Sequence, residues 1–197
     1  HMPLLWTHLI PATLEGKAMH NVQNAMASAV VAYAQGIKLA NIRQGLQTFD
    51  TSYFQAPGRL NIFNELPFKV ILDYAHNPVA VRCMVDLVTR LDASGRKICV
   101  LAAPGDRRDE DVLEIAQIAA AGPFDHILVR RDDSLRGREP EEVPRLLRKG
   151  LIDAGFDAEK ISLSIDEREA VDTALKMCQR GDLLLVFGDN ISRCWKQ

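Results

Sequence analysis

Asp73, His76 and Asn77 directly follow the apolar run 68–72 and precede Pro78. An apolar, β-branched run bounded in this way reads as a buried strand. Pro78 suits the first turn of a helix, where its missing N–H costs nothing. The three polar side chains therefore stand where a strand hands over to a helix. In open α/β sheets, that carboxyl end of the strands is where ligands bind. Polar side chains there are costly unless something uses them.

Two motifs lie upstream. In His20-Asn21-Val22-Gln23-Asn24 the asparagines are three residues apart and so face the same side of a helix. Paired amides of this kind can read the edge of a flat heterocycle by hydrogen bonding. Asn21 also suits the N-cap of that helix, a purely structural role. Ala56-Pro57-Gly58-Arg59 marks a turn that delivers an arginine, whose planar fork suits phosphate if a nucleotide lies beside it. Downstream, residues 130–138 carry four arginines and two aspartates within nine residues. Such a stretch suits an anionic ligand, a guanidinium ligand or both, unless it is a self-paired surface loop.

The elements that position these residues alternate regularly from Leu60 onward. Strands are expected at 70–72, 98–101, 126–129, 161–163 and 183–187, with helices over 79–91, 109–121, 141–154 and 167–178. The alternation implies an α/β fold, a Rossmann-like, mostly parallel sheet with right-handed crossovers and helices on both faces. The almost wholly apolar strands agree with a sheet covered on both sides. All loops after the strands then emerge at one edge, including 103–109, 130–138 and 188–190.

The first 56 residues read differently. The run 4–10 suggests a strand ended by Pro11. Helices are expected over 21–35, with Val22, Ala25, Met26, Ala29, Val30 and Tyr33 on one face, and over 39–48. That face has little to cover it, and a stretch this short is a poor independent domain. The expected division is a tag scar at 1–2, the end of a larger domain at 3–56, and a second domain at 57–197, with a Pro-Gly hinge near 55–58. An uncovered helical face would favour self-association.

Composition excludes several classes. With 197 residues and a formal net charge of −2, no electrostatic case for nucleic acid arises, and no apolar stretch approaches a membrane span. Cys83, Cys99, Cys178 and Cys194 show no metal-binding spacing and read as reduced thiols of a cytoplasmic protein. No G-x-G-x-x-G follows the first strand, which argues against a dinucleotide oxidoreductase. The chain also contains no G-x-x-x-x-G-K-[ST] phosphate loop.

Taken in order, His20-Asn21-x-x-Asn24-x-x-Ala27, Pro57-Gly58-Arg59 and Asp73-Tyr74-Ala75-His76-Asn77-Pro78 resemble the Mur ligase superfamily. Pro57 to Asn61, the loop 130–138 and the ending from Gly188-Asp189-Asn190 to Trp195-Lys196 are most similar to its cyanophycin synthetase branch. The resemblance covers nearly the whole chain. It implies the C-terminal region of an ATP-dependent ligase that joins a carboxylate to an amine through an acyl phosphate. In that branch the expected substrates are arginine and the β-carboxylate of aspartate in a polyaspartate (cyanophycin) primer. Mg²⁺, the phosphate loop and the catalytic lysine would belong to a central ATPase domain, of which residues 3–56 would be the end. The fragment alone is then expected to be inactive.

Carried over by position, the resemblance assigns His20, Asn21 and Asn24 to adenine, Arg59 to phosphates or ribose, Asp73 to ribose, and His76 and Asn77 to the same nucleotide-facing loop. Charge alone suggests that Asp132, Asp133 or Asp189 meets the guanidinium of the amine substrate, with Arg136 and Arg138 also candidates for substrate binding. Two other readings stand beside this one. The first is another Mur-type amino-acid ligase, acting on a cell-wall precursor or a folylpolyglutamate. The second is a non-catalytic nucleotide-binding or interaction module.

Overall fold

The computed structural model describes residues 3–164 and 166–197; His1 and Met2, read as a tag remnant, lie outside them. The chain divides into two compact units, 1–56 and 57–197. No described helix is long and apolar enough to cross a membrane.

In the first unit α1 (Met19–Ala34) and α2 (Leu39–Thr48) follow two 3-10 turns, Thr7–Leu9 and Pro11–Thr13. The strand expected over 4–10 does not form. The Thr13 hydroxyl lies 2.7 Å from the Thr7 carbonyl and 2.8 Å from that of Ile10, and accepts the Gly16 N–H. These bonds curl the segment on itself, where a strand would need a neighbour. Helix α1 begins three residues earlier than the N-cap reading of Asn21 requires, with Ala18 at the cap. Within this unit Ala29 is the buried residue of α1, while Met26, Val30 and Tyr33 are each more than half exposed.

The second unit holds a six-stranded sheet: β1 (Asn61–Phe63), β2 (Lys69–Asp73), β3 (Lys97–Leu101), β4 (His126–Arg130), β5 (Ile161–Ser164) and β6 (Leu183–Phe187). The spatial order is β1-β2-β6-β3-β4-β5, and every pairing is parallel except the antiparallel β1–β2 edge. The α/β architecture expected from the alternation is thus present. Helices α3 (Pro78–Arg90), α4 (Asp109–Ala120) and α5 (Glu142–Asp153) pack side by side, and α6 (Glu167–Met177) with the short α7 (Ile191–Lys196) forms a separate pair. Strand alternation sorts the core accordingly. Leu72, Ile98, Val100, Leu128, Leu184 and Val186 meet Ala170, Val171 and Ala174 of α6. The intervening residues, such as Cys99, Leu101, Ile127, Val129 and Leu185, are fully buried on the other face. Sequence reading missed β1 and α7, each too short for a periodic pattern.

The chain runs outward through β2, β3, β4 and β5, then returns through α6 to place β6 between β2 and β3. That reversal is a topological switch point, and the loops above it open into a crevice.

All four cysteines are free. Burial pushes the Cys99 and Cys194 thiols well up, and the Cys178 thiol to about 11. None is a thiolate at neutral pH.

At the opposite end of the sheet Asp182, 4% exposed, ties the turn before β6 to the start of β3. It accepts the Arg96 N–H at 2.7 Å, the Gln179 N–H at 2.9 Å and the Arg96 guanidinium at 2.8 Å. Burial by itself would raise this carboxyl, but the two amides and the guanidinium outweigh it and hold it below the usual range. A carboxylate depressed in the fold stabilises above its unfolded value of about 3.9, and that stabilisation is lost as pH falls through the lower folded value. Asp182→Ala is expected to cost about 2–3 kcal/mol at pH 7, because buried donors are left unpaired. Urea unfolding at pH 7 and pH 3 should show the gap between variant and wild type narrowing in acid.

Candidate functional site

The crevice is a cleft of about 300 Å³ formed wholly within the second unit by loops after β2, β3, β4 and β6. Tyr74, His76, Asp106, Arg107, Asp132 and Arg136 are among the side chains that line it. Carboxylates and guanidiniums therefore face one another across a small space.

A buried ionic network forms one wall. Arg130, at the end of β4, is 1% exposed, and Glu167, the first residue of α6, is fully buried. The Arg130 guanidinium donates to Glu167 at 3.1 Å, to the Phe187 carbonyl at 2.7 Å and to the Arg131 carbonyl at 2.9 Å, and lies 3.2 Å from Asp189. Glu167 Oε1 also accepts the backbone N–H groups of Asp189 and Asn190, at 2.7 and 3.2 Å. Arg193 of α7 completes the network. Its Nε donates to Glu167 at 2.7 Å and its Nη1 meets Asp133 at 2.9 Å. Burial, with Asp189 adding to it, raises the Glu167 carboxyl. Burial would raise Asp189 too, yet hydrogen bonding to Glu167 and the Arg130 charge hold it low. The network seats the 188–190 turn by its backbone, so Asp189 points where β4 and β6 dictate. Sequence reading did not single out Arg130 or Glu167, because nothing local marks two residues 37 positions apart as partners.

The two loops above β3 and β4 are clamped together. Gly105 N–H donates to the Ser134 carbonyl at 2.8 Å, and a Cβ at Gly105 would lie 1.9 Å from the Leu135 oxygen. Only glycine permits that approach. Arg138 fastens the same junction through the carbonyls of Gly105 (2.9 Å) and Arg107 (2.6 Å) and the carboxylates of Asp109 (2.7 Å) and Glu142 (2.6 Å).

These contacts show how the expected substrate residues are placed. Arg138 is engaged in the clamp and lies outside the cleft lining. Asp133 and Asp189 line the cleft but are already paired with internal arginines. Asp132 is different. Its Oδ1 accepts the Ser134 N–H at 2.7 Å, and burial raises its carboxyl against that bond, with Asp189 adding to the rise. A carboxyl held up by burial is one that a cation would stabilise in its charged form. Arg136 is exposed at the cleft rim, with a left-handed φ of 50°.

The nucleotide-type residues fall in both units. In the first, Asn21 and Asn24 share a face of α1: Asn24 donates to the Asn21 side chain at 3.3 Å, and Asn21 donates to the Ala12 carbonyl at 2.7 Å. His20 precedes them on the same helix, half-buried. In the second, Asp73 is buried, and its two oxygens accept the N–H groups of Leu60 and Ala75, each at 2.8 Å. Asp73 thus shapes the Pro57–Leu60 turn, where Gly58 has φ +71° and donates to Asn61. Arg59, exposed on that turn, lies 5.9 Å from the Tyr74 ring centre, and Tyr74 in turn packs on His76. The Asn77 side-chain oxygen caps α3 through the Ala80 N–H at 3.0 Å. Asp73 and Asn77 shape the backbone, whereas Arg59, Tyr74 and His76 present groups outward.

Removing Arg130 alone would strand buried carboxylates. Arg130→Met is expected to lower stability by about 3–5 kcal/mol. Asp133→Asn, at the half-exposed end of the same network, should cost under about 1 kcal/mol. Denaturant unfolding of the two variants checks the contrast, and equal losses would mean the buried pair carries no special weight.

Comparisons with known proteins agree with this architecture. Residues 58–190 match the family described as "Mur ligase, glutamate ligase domain". The chain is 37% identical to the cyanophycin synthetase of Nostoc sp. strain PCC 7120 over 97% of its own length and 22% of that protein. It is 29% identical to the UDP-N-acetylmuramoyl-L-alanyl-D-glutamate--2,6-diaminopimelate ligase of Aquifex aeolicus, covering 82% of the chain and 31% of the relative. Among solved structures, E. coli FolC in complex with ADP superimposes with a TM-score of 0.67 at 22% identity, over 88% of this chain and 38% of that one. This last likeness is one of fold. The chain spans about a fifth of the length of the cyanophycin synthetases it matches. On the family match and the switch-point cleft together, the chain belongs to the Mur ligases.

Proposed function

We propose that this chain is the C-terminal part of an ATP-dependent carboxylate–amine ligase that adds arginine to the β-carboxylate of aspartate in a polyaspartate primer. The observation that carries the reading is the cleft itself, where acidic and basic side chains face each other over a volume that suits one amino acid. Arginine presents a cationic guanidinium and an anionic carboxylate. In this reading Asp132 accepts from the guanidinium, and Arg107 and Arg136 face the carboxylate. The 37% identity to a cyanophycin synthetase over nearly the whole chain supports arginine and polyaspartate as the substrate pair.

In the reaction proposed, a carboxylate oxygen attacks the γ-phosphorus of ATP, and ADP leaves. The amine then attacks the acyl phosphate, phosphate departs, and the amine's proton passes to a base or to solvent. Arg59, held on its turn by Asp73, would place positive charge beside the nucleotide, with His76 next to it. His20, Asn21 and Asn24 would meet the adenine, and residues 3–56 would be the end of the ATPase domain. The phosphate loop and the groups that hold Mg²⁺ would lie in sequence outside this chain. The chain on its own is therefore expected to show no ATP hydrolysis.

The 29% identity to the diaminopimelate ligase favours a second reading, a Mur-type ligase with another amine substrate. ATP-dependent incorporation by the longer enzyme, tested with arginine, lysine and diaminopimelate, separates the two. Arg59→Ala is expected to reduce incorporation at least tenfold. Asp132→Asn should raise the KM for arginine by about 10–100-fold, the worth of one charge-assisted hydrogen bond. An unchanged KM would remove Asp132 from the site.

A further inference from the structure

We propose that Arg193 is a positioning residue, and that through it α7 holds the acidic wall of the cleft in register with the Gly58–Arg59 turn. This rests on the reading of the cleft as the amine-substrate site. Helix α7 is six residues long and has no fully buried residue, yet it touches both functional loops. On one side, Arg193 reaches Asp133 at 2.9 Å and Glu167 at 2.7 Å and lies 3.5 Å from Asp189. On the other, Ile191 packs so closely on Gly58 that a Cβ there would lie 2.6 Å from its side chain. Asn190 caps the helix by accepting the Arg193 N–H at 3.0 Å, so the backbone and the guanidinium of one residue are both committed to this junction.

The charges explain why the contact positions rather than merely decorates. Glu167, Asp189 and Asp133 present three carboxylates, and Arg130 is one internal cation. Without Arg193, Asp133 and Asp189 would repel each other across the short link where the Asp133 N–H donates to Asp189 at 2.7 Å. The loop that carries Asp132 would then lose its tie to the turn after β6 and keep only its clamp to the loop after β3. A forked guanidinium can satisfy Glu167 and Asp133 together, whereas an ammonium cannot cover both geometries. Arg193 lies outside the cleft lining, so it acts through Asp133 and Asp189 and not on the substrate.

Amide hydrogen exchange on the 197-residue chain tests the structural half of this inference directly. Arg193→Gln should speed exchange at least tenfold across 131–138 and 188–190 while leaving β3 unchanged, and Arg193→Lys should restore part of the protection. Uniform loss across the sheet, or no change in the loops, overturns the proposal. In the longer ligase, Arg193→Gln should raise the KM for the amine about tenfold, with kcat and the KM for ATP within about twofold. In an Asp133→Asn background the same change should add less than in the wild type, because only the Glu167 and Asp189 contacts of Arg193 remain to be lost. Additive losses, or a fall in kcat alone, also overturn it. If the longer enzyme joins no amine, the ligase reading fails, and the exchange result still decides the role of Arg193.

Discussion

A guanidinium sealed at the end of β4 is the constraint on which the cleft depends. Arg130 and Glu167 are both removed from water, and taking two charges from water costs more than a single contact returns. The arrangement holds because Glu167 and both Nη groups of Arg130 are matched, while the buried Arg130 Nε has no hydrogen-bond partner. Glu167 gathers two guanidiniums and two backbone amides, and Arg130 gathers two carboxylates and two carbonyls. The same bonds fasten β4, α6 and the turn after β6 to one another. Three separate stretches of chain thus meet at fixed angles, and the cleft is the space between them.

Outside that network the loops divide their side chains between two tasks. Asp73, Asn77 and Arg138 turn back onto the backbone and shape it. Tyr74, Asp106, Arg107 and Arg136 face the open space, while His76 and Asp132 line it and also hold a backbone group of their own loop. The split follows from how backbone groups are satisfied. A tight loop leaves N–H and C=O groups without partners, and the nearest charged side chain is drawn to them. Residues of the same type, a few positions apart, therefore end in different roles.

Much of this architecture was legible in the sequence. Strands β2, β3, β4 and β6 announced themselves as apolar runs, and the helices between them kept a 3.6-residue period, because both signals depend on burial; the edge strand β5, Ile-Ser-Leu-Ser and only partly buried, showed a weaker alternation. Asp73, His76 and Asn77 were correctly placed at a strand end, since an apolar run followed by Asx and proline has few other meanings. What stayed hidden was non-local. The pairing of Arg130 with Glu167 spans 37 positions, and composition made both look like surface charge. The run 4–10 misled because its apolar residues match a strand, while the Thr13 hydroxyl lies close to the carbonyls that a neighbouring strand would have used. Asp133 and Asp189 looked available for a ligand because a sequence lists charges without their partners.

The position of β6 also bears on how the second unit is made. This strand is the last of the six to be synthesised, yet it lies between β2 and β3, pairing Leu183 with both Lys69 and Lys97. Until it arrives, the two halves of the sheet have no common edge, and each exposes a row of unpaired backbone groups. On a ribosome the unit therefore waits for nearly its entire length before the sheet can close, and the cleft is created in that same step. Long-range closure of this kind is slow to nucleate and leaves edges open to other chains meanwhile. The strand that places the cleft is also the one that covers these two interior edges, leaving only β1 and β5 at the rims of the sheet.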